Sequence, residues 1–311
     1  MPPRIGYWLA RVIASAMARR RSFMFINARA NLSRVVPEAT DEELDDLARR
    51  AIAHAGRTYY DMFRLSAEDY QRGRVPLNIR IREWVAVRQA LSDGRGTVLV
   101  GPHMSNFDLA AQWIASQGFD IQALSLPSPS TGARVVNALR RRRGIVMTPL
   151  SVSALRAAIK RLRAGGLVMT GADRPVSMMD ELVPFFGAPA RLPTGHVRLA
   201  LQTQARIVVA CCIMEKNGQT ATGDASGVCC YRIQFAPPIE MEAASDQESA
   251  ARISDANIRH NVRRVLEIIE DMIRQAPDQW LMFVPVWENA TGKDTSDQEL
   301  PEISDMLGIV P

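Results

Sequence analysis

Residues 95–112 read GRGTVLVGPHMSNFDLAA and contain the most informative junction of the chain, where a strand leads directly into a helix. The uninterrupted apolar run 97–100 predicts a strand buried on both faces, as in the centre of a parallel sheet. Ser105 or Asn106 is suited to cap the helix that follows. His103 therefore stands just past the carboxyl end of a strand, where open α/β sheets collect their functional groups.

His103 and Asp108, with four residues between them, form a layout for general-base catalysis. An imidazole accepts a proton readily near neutral pH, and a nearby carboxylate can fix its tautomer and stabilise the imidazolium. The spacing alone is common by chance, and a surface histidine near a helix start is the alternative interpretation. The position at the end of a buried strand favours the catalytic interpretation.

Composition limits the class of protein. The 311 residues are 47% hydrophobic and 23% charged, which suits one α/β domain with additions or two domains. Cysteines occur as two adjacent pairs, 211–212 and 229–230, without the C-x-x-C spacing of zinc sites. We expect core thiols in a reducing compartment, and neither a metal nor a cofactor. No apolar run predicts a transmembrane helix and no signal peptide is recognised, so the protein is expected to stay in the cytoplasm.

Positive charge is concentrated at the start of the chain. The net charge of +5 indicates an anionic partner. Residues 1–37 carry seven arginines and no acidic residue, interleaved with apolar residues and the pair Tyr7-Trp8. This pattern predicts an amphipathic helix that lies on an anionic membrane surface. The alternative is a helix packed on the core with a solvated arginine face. No ladder of exposed aromatic residues supports nucleic-acid binding.

The chain divides into a helical part and an alternating part. A capping box at 40–43 predicts a helix to about residue 55, and further helical patterns cover 58–65 and 79–91. The first ninety residues are therefore predicted to be helical. From Gly94 strands and helices alternate, which predicts an α/β fold with a mostly parallel central sheet flanked by helices.

The last part of the chain is predicted to join the core. A long helix spans about 255–275, residues 279–287 form a last strand or a docking loop, and a loose polar tail follows from Glu288. We predict a helical membrane-docking region at 1–92 and an α/β core at 93–240. The C-terminal helix, closing strand and tail at 241–311 form one structural unit with that core.

Further polar candidates lie near other strand ends. Asp173 and Arg174 follow an apolar strand, and Arg174 is suited to hold a phosphate or an oxyanion while Asp173 orients it. A structural salt bridge is the alternative for this pair. Arg140 begins a run of four arginines and is a candidate for phosphate binding, with a solvated charge run as the alternative. Asn106 completes the candidates for substrate contact.

A loop and a helix start are further candidates. The stretch 183–187, VPFFG, is interpreted as an apolar loop that forms one wall of an acyl-chain site or ordinary packing. The helix after Gly195 offers backbone N–H groups to an anion. His54, His196 and His260 are interpreted as structural.

Taken in order, these motifs resemble the lysophospholipid acyltransferase superfamily, in particular the branch of late lipid A acyltransferases and phosphatidylinositol mannoside acyltransferases. The resemblance covers most of the chain. It rests on the arginine-rich start with Asn31-Leu32, the His103-x4-Asp108 block, GADRP at 171–175, LVPFFGAPARLPTGHVRLALQTQA at 182–205, and PDQWLMFVPVWE at 277–288.

The resemblance implies transfer of a fatty acyl chain from an acyl thioester, on coenzyme A or acyl carrier protein, to a hydroxyl of a membrane glycolipid or phospholipid. It makes His103 the base, Asp108 the residue that aligns it, and Arg140 and Arg174 the positions that meet phosphate or oxyanion. Some phosphatidylinositol mannoside enzymes carry a glutamate three residues before Phe-Phe-Gly. Leu182 stands there in this chain, with Glu181 beside it.

The resemblance further implies a peripheral protein on the cytoplasmic face of the inner membrane. Two other functions remain open from the sequence. An acyl thioesterase or lipid hydrolase would use the same base with water as acceptor. A catalytically inactive lipid-binding protein would keep the fold alone.

Overall fold

The structure is a computed structural model that describes residues 2–64, 77–127, 131–176, 180–215, 229–242 and 254–287. The helices are α1 (Pro3–Arg19), α2 (Phe23–Val35), α3 (Asp41–Arg64), α4 (Trp84–Ser92), α5 (Phe107–Ser116), α6 (Thr131–Arg142), α7 (Val152–Arg163), α8 (Gly195–Thr203) and α9 (Asp255–Arg274). The strands are β1 (Leu77–Arg82), β2 (Thr97–Gly101), β3 (Ile121–Ser125), β4 (Ile145–Pro149), β5 (Leu167–Gly171), β6 (Asp180–Phe185), β7 (Ala188–Pro193), β8 (Arg206–Met214) and β9 (Cys229–Phe235).

Seven strands of the described chain form one sheet in the order β1-β9-β8-β2-β5-β3-β4. All neighbours run parallel except β8 and β9. Strand β2 lies between β8 and β5, and Val98, Leu99 and Val100 are buried there. The predicted mostly parallel α/β sheet with helices before it is confirmed, and β2 occupies its interior as the apolar run indicated.

Helices cover both faces of the sheet. Apolar residues of α7, α8 and α9 pack on one face, and those of α4 and α5 pack on the other. Helices α1, α2 and α3 form a third apolar cluster, which also includes Phe283. No helix in the described ranges is long and apolar enough to cross a bilayer.

The prediction that the first ninety residues are helical is wrong for one segment. Residues Leu77–Arg82 form β1, which pairs in parallel with β9. The sequence LNIRIR alternates apolar and polar residues, which is the strand period. Glu83 then takes a left-handed conformation with φ of 59° and separates β1 from α4. A single continuous helix, α3, also replaces the two that were predicted between residues 40 and 65.

The amphipathic start of the chain forms two helices instead of one. Arg21 has a φ of 48° and interrupts the helix, and the side chain of Ser22 caps α2 by accepting from the amide of Phe25. The capping box that opens α3 is confirmed, because the amide of Thr40 donates to the carboxylate of Glu43 at 2.8 Å. That backbone hydrogen bond also lowers the pKa of Glu43.

The stretch 183–187 is a hairpin and not a loop. Strands β6 and β7 pair antiparallel, and Phe186 and Gly187 form the turn with φ of 46° and 72°. Two successive positive φ values are those of a type I′ turn, whose twist suits a two-residue hairpin. Phe185 is fully buried and stacks on Trp287 at 5.7 Å, which supports the packing interpretation for this side chain.

Residues 279–287 are a docking loop and not a strand. A 3₁₀ turn at Pro277–Gln279 leads into an irregular segment, whose Trp280 forms an isolated bridge with Met104. Asn31 of α2 donates to the carbonyls of Met282 and Val284 at 3.0 and 2.8 Å. The N-terminal helices therefore hold the end of the described chain. The polar tail predicted from residue 288 lies outside the described residues.

Candidate active site

The end of β2 and the end of β5 lie side by side because the two strands are parallel neighbours. Gly101 and Gly171 are paired in register, and the chain places His103 and Asp173 two residues beyond them. Imidazole Nδ1 lies 2.7 Å from Asp173 Oδ1, and the backbone amide of His103 donates to Oδ2 at 2.8 Å. The sheet thus brings together a histidine and a carboxylate that are seventy positions apart in the sequence.

This contact fixes the tautomer of the imidazole. An ionised carboxylate only accepts hydrogen bonds, so in the neutral imidazole of His103 Nδ1 carries the proton and Nε2 keeps a free lone pair. The His103 side chain is 29% exposed, whereas that of Asp173 is fully buried. Nε2 is therefore the nitrogen available to take a proton from a bound molecule.

Asp173 is held in its ionised form. Burial alone would raise its pKa, but the nearby His103 charge and hydrogen bonds from the imidazole, the Trp280 indole and the His103 amide lower the pKa below its ordinary value. Trp280 Nε1 donates to Oδ2 at 2.8 Å. The carboxylate thus accepts three hydrogen bonds within a buried environment, which favours the charged form.

The sequence analysis expected Asp108 to orient His103, but no hydrogen bond or ion pair joins these two side chains. The Asp108 carboxylate is paired with Arg140 of α6, whose Nη2 donates to Oδ2 at 2.9 Å and whose Nε donates to Oδ1. Arg140 Nη1 also donates to Asn137 at 2.9 Å. The physical reason is that the guanidinium occupies both oxygens of Asp108, while Asp173 reaches Nδ1 from the neighbouring strand.

The Asp108–Arg140 pair is a fixed charge pair. Burial works to lower the pKa of Arg140, but the charge and hydrogen bonds of Asp108 outweigh it and raise the pKa. Arg140 also lies over the Phe107 ring at 5.5 Å, and that ring packs edge-on against the His103 imidazole. Arg140 of this pair and the His103 imidazole therefore pack against the same Phe107 ring.

Arg174 has the environment expected of an anion-binding residue. Burial lowers its pKa, although the charge of Asp173 works in the opposite direction. Its Nε is buried without a hydrogen-bond partner, and no salt bridge joins it to a carboxylate of the described residues. A half-buried guanidinium with unused donors gains most from an incoming anion.

The remaining candidates from the sequence have other contacts. Asn106 is buried and caps α5 by accepting from the amide of Leu109. Glu181 pairs with Arg198 and accepts from Thr194 at 3.1 Å, so its visible contacts are structural. Gly195 begins α8 as predicted.

Three other histidines have no such arrangement. His196 is buried, and that burial lowers its pKa to about 4. Nε2 of His54 lies 3.7 Å from Oδ2 of Asp278, and Nε2 of His260 lies 3.3 Å from Oε2 of Glu242. Each is accounted for by local packing or a surface ion pair, as the sequence analysis interpreted them.

Trp280 is the residue of the site that sequence reasoning missed. Its segment was singled out only as a strand or docking loop. The available signal was chemical, because a buried indole carries one N–H donor that requires an acceptor. Trp280 is only 1% exposed, and Asp173 is that acceptor.

Comparisons with known proteins identify the family to which the chain belongs. A family model described as bacterial lipid A biosynthesis acyltransferase matches residues 1–289. A phosphatidylinositol mannoside acyltransferase of Mycolicibacterium smegmatis is 29% identical over 214 residues, which are 64% of this chain and 69% of that protein. A protein of the same name from Mycobacterium tuberculosis is 29% identical over 195 residues, 61% of each chain.

A solved structure is also similar. The 1-acyl-sn-glycerophosphate acyltransferase PlsC from Thermotoga maritima aligns with a TM-score of 0.37 and 12% identity, over 86% of this chain and 97% of that chain. The family model, which spans nearly the whole sequence, confirms the resemblance inferred from the motifs. The chain is an acyltransferase that belongs to the bacterial lipid A biosynthesis acyltransferase family.

Proposed function

We propose that the protein transfers a fatty acyl chain from an acyl thioester, carried on coenzyme A or acyl carrier protein, to a hydroxyl of a membrane glycolipid or phospholipid. The observation that carries this proposal is the partly exposed His103 imidazole, whose Nδ1 is bonded to the buried Asp173 at 2.7 Å. A base with a fixed tautomer and an accessible second nitrogen is what an alcohol acceptor requires.

The reaction follows from this geometry. Nε2 of His103 takes the hydroxyl proton while the acceptor oxygen forms a bond to the thioester carbonyl carbon. The carbonyl electrons move to oxygen and create a tetrahedral oxyanion. When the carbon–sulfur bond breaks, the leaving thiolate takes the proton back from the imidazolium. A thioester is already activated, so the enzyme needs no covalent nucleophile.

Arg174 is the residue proposed to hold the negative charge, either on the developing oxyanion or on a phosphate of the lipid. It follows Asp173 directly, and its buried Nε is unused by the described residues. Arg140 is proposed to contribute indirectly, because both oxygens of Asp108 already occupy its guanidinium. An Arg174→Gln variant is expected to lose turnover, since its side chain keeps a donor but no charge.

The N-terminal helices are proposed to dock on an anionic membrane as a peripheral element on the cytoplasmic face of the inner membrane. Helix α1 buries the small residues Gly6, Ala10 and Ala14, and its exposed face carries Trp8 and Val12. These exposed apolar side chains are 54% and 42% accessible, and residues 1–37 contain no acid. Apolar side chains with flanking arginines favour the headgroup region.

Helix α3 contacts α1 and also contributes a residue near the candidate site. Tyr59 of α3 is partly exposed, and its pKa is raised by burial while the charges of Arg140, Asp108 and Arg174 also act on it. The same helix packs against α1 through Gly56, where an added Cβ would lie 3.0 Å from that of Ala10. Helix α3 therefore connects the proposed docking helix α1 with the surroundings of His103.

Acyl transfer can be tested directly. Purified protein is incubated with a radiolabelled acyl thioester of coenzyme A or of acyl carrier protein, with and without vesicles made from bacterial lipid extract. Wild type is expected to transfer label to lipid, and His103→Ala is expected to abolish transfer while His260→Ala does not. Thioester cleavage that is independent of lipid would identify a hydrolase, and vesicle binding without turnover would identify an inactive lipid-binding protein.

Membrane docking has its own test. Co-sedimentation with phosphatidylglycerol vesicles is expected to weaken at least tenfold for Trp8→Glu. The matched control is Val85→Glu on α4, where another apolar side chain is 83% exposed outside the N-terminal helices. Equal loss in both variants would refute docking through α1.

A further inference from the structure

Trp280 reaches the catalytic histidine through Asp173. Its indole Nε1 donates to Asp173 Oδ2 at 2.8 Å, and the side chain is 1% exposed. The same oxygen accepts from the backbone amide of His103, while Oδ1 accepts from the imidazole. The indole is thus the one donor to Asp173, among the described residues, that comes from outside the His103 residue itself.

The backbone on both sides of Trp280 is fastened to the histidine loop. The amide of Leu281 donates to the carbonyl of His103 at 2.8 Å, and the amide of Ser105 donates to the carbonyl of Gln279 at 2.9 Å. The Gln279 side chain also accepts from the amide of Met214 and donates to its carbonyl, at 2.7 and 2.8 Å. The indole therefore has a fixed position relative to the imidazole.

We propose that Trp280 is a positioning residue of acyl transfer, which fixes the plane of the Asp173 carboxylate so that Oδ1 stays on Nδ1 of His103. This inference rests on the proposed function. Without the indole donor, Asp173 Oδ2 keeps only the backbone hydrogen bond, and the carboxylate gains freedom to rotate away from the imidazole. Trp280 touches no reacting atom in this scheme.

The chain supplies a matched control. Trp287 packs in the same aromatic cluster as Trp280, with ring centroids 6.4 Å apart, and it is also buried. Its Nε1 has no hydrogen-bond partner among the described residues. Trp287→Phe therefore removes the same volume and the same N–H group from the same cluster without removing a donor to Asp173.

Trp280→Phe is expected to lower kcat about tenfold relative to Trp287→Phe, since a hydrogen bond to a charged group is lost. The KM for the acyl thioester is expected to stay within twofold. The acid limb of the pH–rate profile is expected to move to lower pH, because a carboxylate that rotates away from the imidazole stabilises the imidazolium less. Equal kcat and superimposable pH profiles in both variants would overturn the proposal.

A second measurement does not depend on the folding of Trp280→Phe. The five tryptophans give five indole N–H signals in a ¹⁵N-labelled protein, and phenylalanine variants of the other four assign the Trp280 signal by elimination. Asp173→Asn is expected to shift the Trp280 signal upfield and to leave the Trp287 signal in place. An unmoved Trp280 signal would overturn the proposal. If the wild-type protein is inactive with every acyl donor, the proposed function is refuted. The Trp280 signal would still report whether the indole contacts Asp173.

Discussion

Two buried carboxylates near His103 have opposite environments. Asp173 shares a proton with an imidazole, which can gain and lose charge, and it also accepts from an indole. Asp108 accepts from two of the three nitrogens of a guanidinium that stays charged at every physiological pH. The first arrangement can support proton transfer, whereas the second neutralises a fixed charge. The partner, and not the distance in sequence from the histidine, separates the two roles.

The largest expected effect comes from Asp173→Asn. The asparagine amide can donate to Nδ1 and so favour the tautomer in which Nε2 is protonated and cannot act as a base. Turnover is expected to fall about 10⁴-fold, as when the orienting aspartate of a serine protease is replaced. The measurement is kcat at saturating thioester and lipid. A loss below tenfold would show that another group orients His103.

The second expected effect distinguishes Asp108 from Asp173, because it concerns the free energy of unfolding instead of turnover. Asp108→Leu leaves Arg140 buried and unpaired, which is expected to cost about 3–5 kcal/mol of unfolding free energy. Arg140→Leu leaves the carboxylate unpaired and is expected to cost a similar amount.

The double variant, with both Asp108→Leu and Arg140→Leu, completes a double-mutant cycle and is its decisive member. With both charges removed, most of the lost unfolding free energy is expected to return, because no buried charge is left unpaired. Urea unfolding of wild type, both single variants and the double variant measures the coupling. Additive losses would mean that the Asp108–Arg140 contact contributes nothing to folding.

The sequence was sufficient to predict those helices and strands whose patterns depend on neighbouring residues. Apolar runs and capping residues located β2, α5 and the capping box at Thr40, and the ends of parallel strands placed His103 near Asp173 and Arg174. These predictions depend on residues within one or two turns of each other. The rule that strand ends share an edge of the sheet then supplied the site.

The errors come from contacts between distant parts of the chain. The preference of His103 for Asp173 over Asp108 depends on β2 and β5 being neighbours, and no spacing in the sequence reports that adjacency. Strand β1 forms because β9, about 150 positions away, offers a parallel edge. Trp280 reaches Asp173 across 107 positions, and the short segment around it has no periodicity to analyse.

His196 shows what a buried histidine does without a carboxylate beside it. Burial lowers its pKa from 6.5 to about 4. Below pH 6.5 the unfolded chain takes up a proton that the folded chain refuses, so stability falls as the pH drops toward 4. The contribution of this one group is on the order of 3 kcal/mol.

The effect of His196 is measured by difference. Unfolding free energies of wild type and His196→Gln are compared between pH 7 and pH 4, with His260→Gln as the exposed control. The wild-type curve is expected to fall more steeply than that of His196→Gln over this window. Parallel curves would mean that His196 is protonated in the folded protein.

The smallest expected effect tests the room around the imidazole. A Cβ added at Gly171 would lie 2.8 Å from Cε1 of His103, so alanine there must displace the ring from Asp173. Gly101 is its register partner on β2, and a Cβ there would lie 2.2 Å from the backbone carbonyl oxygen of Ala210. The two glycines thus leave space for different neighbours, Gly171 for the His103 imidazole and Gly101 for the backbone of β8.

Gly171→Ala is expected to lower kcat about tenfold, which corresponds to roughly 1.4 kcal/mol in the transition state, with little change in the melting temperature. Gly101→Ala is expected to lower the melting temperature because the strand backbone must move. The Asp108–Arg140 pair touches neither glycine, so its stability coupling is expected to persist in Gly171→Ala. Unchanged turnover in Gly171→Ala would mean that the imidazole keeps its function when displaced from Asp173, and the contrast between the two carboxylates would lose its catalytic meaning.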